Sequence, residues 1–140
     1  MLLTYLIATP FLAALFIALL PASRTRLIEK VIALACGIEL GLGLLLIPHV
    51  LETGKVQASS LFAVDALGSF LMLIISLVGF FVSLYSIGYL RAEVAKGIIG
   101  PRRVRQYFIL FELFLFAMYL AVGTVNPGVM WIAIEATTLA

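Results

Sequence analysis

Glu39, Glu112 and Glu135 stand inside apolar runs long enough to cross a lipid bilayer. A charged side chain at the bilayer centre costs about 2.5–3.5 kcal/mol on insertion scales, so an intramembrane carboxyl reads first as a proton or ion relay, or as a binding site facing a bundle interior. Each glutamate also has a plainer reading. Glu39 could bond between helices as a protonated, structural group. Glu112 could be reached by Arg105, seven residues before it on the same helical face. Glu135 lies about eight residues into its helix, too deep to snorkel to water, and relay chemistry is the expectation there. No Lys or Arg lies within any of the apolar runs, so a glutamate relay has no embedded cationic partner in this chain.

The elements that must position these residues follow from composition. The chain is 64% hydrophobic and only 11% charged, with a mean hydropathy of +1.24. Soluble domains carry about 25% charged residues. The expectation is an all-α, polytopic transmembrane helix bundle forming a single domain over residues 1–140. Its spans read as about 2–22, 31–51, 66–90 and 107–125, with an incomplete fifth at 127–140. Pro10 is expected to kink the first span. Asn126 suits an N-cap, and Pro127 suits the first helical position, where its missing N–H leaves nothing unpaired. From Pro127 to Ala140 a helix would reach about 21 Å against a hydrocarbon core of about 30 Å, so four full spans and a truncated fifth are expected.

Loop charge suggests the orientation. Residues 23–30 hold three Lys/Arg, residues 52–65 hold one, residues 91–106 hold five and residues 126–128 hold none. This alternation predicts a multi-pass protein of the inner (plasma) membrane with its N-terminus outside and the two basic loops cytoplasmic. Asp65 is expected to cap the third helix, and His49 to lie at the interface.

Small residues suggest how the helices approach. The second span carries one ridge at Ala33, Gly37 and Gly41 and a neighbouring one at Ala35, Glu39 and Gly43. The third carries Ser69, Met72, Ser76, Gly79, Ser83 and Ser86 at helical spacing, either a packing face or a path lined by hydroxyls. Glu112 and Tyr119 share a face, as do Trp131, Glu135 and Thr138. No Gly-rich phosphate loop, metal-spaced Cys/His cluster or nucleophile–base pair occurs, so no catalytic residue, cofactor or metal is expected. Basic residues cluster only in short loops, which gives nucleic-acid binding no support. Cys36 is a lone cysteine within a span, read as packing.

The stretch Asn126–Ala140, NPGVMWIAIEATTLA, resembles the fifth-helix motif of the antiporter-like proton-channel subunits of complex I, Mrp-type antiporters and group 4 NiFe hydrogenases. Its WIAIEATTLA ending is most similar to the hydrogenase-4 component F type. VDALGSF (Val64–Phe70), YSIGYL (Tyr85–Leu90) and the RQYF entry to the fourth span resemble that family too. The resemblance implies a non-redox, proton-translocating subunit without a cofactor of its own, working with membrane and peripheral partner subunits of a hydrogenase or NADH-dehydrogenase-like oxidoreductase. It implies a bundle of about fourteen helices, of which this chain would be the first quarter to third, and a proton-translocating role for Glu135 coupled to a lysine on a later, broken helix. Glu39 and Glu112 match no motif of the family. The rival reading is a self-contained four-helix proton-coupled transporter that oligomerises.

Overall fold

The computed structural model describes residues 1–139; the last residue of the expected fifth span, Ala140, lies outside them. Among these residues, five α-helices and one small hairpin occur in the order α1 (Leu2–Leu19), α2 (Thr25–Thr53), β1 (Lys55–Gln57), β2 (Ala63–Asp65), α3 (Ala66–Ala95), α4 (Pro101–Gly123) and α5 (Pro127–Leu139). The first four helices are long and apolar enough to cross a membrane. They close into a ring in which α1 packs on α2, α2 on α3, α3 on α4 and α4 on α1, with α2 also touching α4 across the middle. α5 packs against α4.

The ring is apolar outside, and its largely apolar interior holds a few polar groups. Leu44, Leu45, Phe70, Val78 and Phe81 are exposed, as side chains facing lipid would be. Glu39, Ser69, Ser76, Ser83, Ser86 and Glu112 are buried. In α3 every member of the expected stripe, Met72 and Gly79 included, is buried, so this face is the packed one.

The helices outrun the apolar windows that announced them. α2 starts at Thr25, α3 continues to Ala95, and α4 starts at Pro101. A hydropathy window ends where charge begins, whereas a helix ends where its backbone finds caps; Arg, Lys and Glu are good helix formers. Pro101 takes the first position of α4, where proline costs no hydrogen bond. Arg102, Arg103 and Arg105 therefore lie in its opening turns, against the helix dipole, an opposition of about 0.3–1 kcal/mol each at a surface. α1 and α2 run through Pro10 and Pro48 respectively.

The expected caps form. Asp65 Oδ1 accepts from the Gly68 N–H at 2.8 Å, and Asn126 Oδ1 accepts from Gly128 and Val129 at 2.9 and 3.2 Å. α2 ends on Gly54, whose φ of 76° favours glycine. The connection after it, read as a plain loop, is an antiparallel hairpin that pairs Lys55 with Asp65, Val56 with Val64 and Gln57 with Ala63. The Leu61 carbonyl accepts from the Val125 N–H at 2.8 Å and the Thr124 hydroxyl at 3.1 Å. The hairpin is thus stitched to the turn between α4 and α5.

The ridge that meets a neighbour most closely in α2 is the one through Ala35, Glu39 and Gly43. A Cβ on Gly43 would come within 2.9 Å of Ser76 Oγ, whereas one on Gly41 would meet nothing within 4 Å.

Candidate functional site: a buried carboxyl pair

The α2–α4 contact across the ring brings Glu39 and Glu112 together, although their helices are not sequence neighbours. Glu39 is 1% exposed and Glu112 is fully buried. Their carboxyl groups are close neighbours. Glu39 Oε1 and Glu112 Oε2 have no hydrogen-bond partner.

Neutral polar side chains stand near the pair. The Cys36 thiol, one helical turn before Glu39, points at Glu112 Oε1 from 3.6 Å, and Ser83 stands beside that thiol. Tyr119 is fully buried and stands beside Glu39 without bonding to it. Its hydroxyl is 2.8 Å from Ser76 Oγ, and Ser76 in turn donates to the Met72 carbonyl at 2.9 Å. Farther along the same interface, the Ser86 and Tyr107 hydroxyls are 2.8 Å apart.

Arg105 does not reach Glu112. It donates to the Leu20 carbonyl at 2.9 Å, at the C-terminal end of α1. Seven helical residues span about 10.5 Å, and the unpaired carbonyls at the end of α1 offer a nearer negative partner. Among the described residues, the ion pair that forms joins Glu29 of α2 to Arg91 of α3. Neither residue was singled out from the sequence, because both lie beyond the apolar windows.

The third glutamate stands apart. α5 turns Ala133 towards the bundle and leaves Trp131, Glu135 and Thr138 on its exposed face. These three do share a face, as their spacing predicts. The structure therefore joins two of the three sequence candidates and leaves Glu135 facing outward. Tyr119, Cys36 and Ser76 complete the cluster. Their signal was present: Tyr119 lies two turns from Glu112, Cys36 one turn from Glu39, and Ser76 within the α3 stripe.

What the fold and site define is a class: a multi-pass α-helical membrane protein with ionisable groups gathered in its interior. Comparison with known proteins narrows it. Residues 50–97 match the family model described as NADH-ubiquinone oxidoreductase (complex I), chain 5 N-terminus. The chain is also 36% identical over 85 residues to a hydrogenase-4 component F homolog from Methylacidiphilum infernorum (isolate V4), covering 61% of this chain and 18% of that relative. The chain thus spans less than a fifth of the length of the curated relative it matches. Both matches agree with the likeness carried by VDALGSF and YSIGYL, which fall within residues 50–97. The matched segment of the family model covers the end of α2, the hairpin and α3, and contains none of the three glutamates.

Proposed function

We propose that this chain is part of a proton-translocating, non-redox membrane subunit of a hydrogenase-4 or NADH-quinone oxidoreductase-like complex, carrying no cofactor of its own. The observation that supports this best is the Glu39–Glu112 pair, buried between two apolar helices with neutral polar side chains near it. Two carboxylate charges this close in a water-poor interior repel strongly, and one proton held between them relieves the repulsion. The pair then acts as a proton store: it holds the proton while the interior is dry and releases it when a cation or water approaches.

Glu135 is proposed as a second relay group, on the basis of the motif around it. Its exposed place on α5 suits a glutamate whose partner comes from outside the α1–α4 ring. The working assembly would join this chain to the membrane and peripheral subunits of such a complex in the plasma membrane, N-terminus outside.

The test is proton pumping by the intact complex, normalised to subunit content, in Glu39→Gln, Glu112→Gln and Glu135→Gln. Glutamine keeps shape and hydrogen bonding but cannot release a proton. Pumping should fall by about a hundredfold or more in each, the lower range for loss of an acid–base group. Wild-type pumping in all three, with normal assembly, would refute the proposal.

A further inference from the structure

We infer that the Tyr119 hydroxyl, backed by Ser76, is the reversible hydrogen-bond partner that lets Glu39 both take up and release a proton; this rests on the proton-store reading of the Glu39–Glu112 pair. A buried carboxyl group that changes protonation needs an acceptor when protonated and a donor when ionised, because an unpaired buried group is costly in either state. A hydroxyl can be both. A thiol or a backbone N–H serves only one state well.

Tyr119 carries such a hydroxyl beside Glu39, whose Oε1 has no hydrogen-bond partner as it stands. With Glu39 protonated, its O–H donates to the Tyr119 oxygen, Tyr119 donates to Ser76 Oγ, and Ser76 donates to the Met72 carbonyl; the last two links are in place, at 2.8 and 2.9 Å. With Glu39 ionised, the Tyr119 O–H swings to the carboxylate and the Ser76 hydroxyl turns from Met72 to the vacated Tyr119 oxygen. The Met72 carbonyl keeps its helical bond throughout. No covalent bond forms or breaks on tyrosine or serine; only hydroxyl rotations occur. Because the file ends on a backbone carbonyl, the proton cannot leave that way and departs through Glu112.

Every group facing Glu39 fits this division of labour. α4 contributes Glu112 and Tyr119, and α2 itself contributes Cys36, whose thiol is committed to Glu112. α3 contributes Ser76 and Ser83, while its charged residues Arg91 and Glu93 lie at its far end. α1 carries no charged side chain, and its one tyrosine, Tyr5, is exposed. Tyr119 is thus the neutral group able to answer both states of Glu39.

Infrared difference spectroscopy on native membranes containing the intact complex reads the hydrogen bonding of a protonated carboxyl directly, through its C=O stretching band. The band that disappears in Glu39→Gln belongs to Glu39. In Tyr119→Phe that band should move to higher wavenumber, and pumping should fall roughly 10- to 100-fold, the loss expected from one hydrogen bond to a charged group. Ser76→Ala should move the band the same way by a smaller amount, and it carries the test if Tyr119→Phe fails to assemble. An unmoved band overturns the inference, even with slow pumping, since Tyr119 would then only fill space. A moved band with wild-type pumping in Tyr119→Phe overturns it too, because the hydrogen bond would take no part in transfer. Wild-type pumping in Glu39→Gln itself would instead sink the proton-store reading while leaving the hydrogen bond assigned.

Discussion

Arg91 sends both its Nε and its Nη2 to a single oxygen of Glu29, Oε2, at 2.9 and 2.6 Å, and so ties α3 to α2 at the basic end of the bundle. The two partners are unequally placed. The Arg91 side chain is 63% exposed and that of Glu29 only 7%.

This asymmetry makes the two halves of the pair differ on removal. Arg91→Ala strands a buried carboxylate, whereas Glu29→Gln leaves an arginine that water already solvates. Thermal unfolding in detergent should therefore show Arg91→Ala as the more damaging change. Arg91→Lys should fall between Arg91→Ala and wild type, because lysine lacks the forked donor. Equal losses from both sides would show that burial of Glu29 does not matter.

Gly43 and Gly41, one half-turn apart on α2, give a sharper packing test. A methyl group at Gly43 collides with Ser76, while one at Gly41 has open space. Gly43→Ala should destabilise by about 1–3 kcal/mol, as overpacking does. Gly41→Ala should be neutral or stabilising by up to about 1 kcal/mol through helix propensity. Comparing their denaturation midpoints settles the matter, and similar values would contradict the packing described.

If Glu39 and Glu112 work as one store, their losses should not add. Glu39→Gln and Glu112→Gln should each depress pumping, and the double variant should be about as slow as the worse single one, because groups acting as a unit are non-additive. Multiplying defects would mark two independent groups. Glu135→Gln, on α5, should combine multiplicatively with either.

The proposed orientation can be checked by labelling. Arg103 and Lys55 are both exposed, near opposite ends of the ring. The native Cys36 is buried and should stay silent to a membrane-impermeant maleimide. Arg103→Cys should react only from the cytoplasm and Lys55→Cys only from outside. Labelling of both from one side would break the span assignment.

Much of this fold is written locally. The apolar windows mark four spans, and Asp65, Asn126 and Pro127 mark helix starts by their own hydrogen-bonding chemistry. The α3 stripe shows its packed face by spacing alone. The hairpin was less legible, because its strands are three residues each and hold by pairing with one another, while their connecting loop bonds to Thr124 and Val125. The candidate site was half legible. Periodicity places Glu39, Glu112 and Tyr119 on helix faces, but which faces meet depends on α2 crossing to α4 through the ring, a relation between elements distant in sequence. Arg105 was misjudged for the same reason, since its competing partner, the end of α1, is a neighbour only in space.

The distance along the chain between the members of this cluster bears on how the protein is made. Cys36 and Glu112 are 76 residues apart, so at roughly 5–20 residues per second the ribosome needs about 4–15 s to supply the second after the first. During those seconds Glu39 enters the bilayer with neither Glu112 nor Tyr119 beside it. The early α1–α2 unit must wait at the insertion machinery, or carry its carboxyl as a neutral acid, until α4 arrives to close the ring. Biogenesis thus has a vulnerable interval, after α2 emerges and before α4 docks.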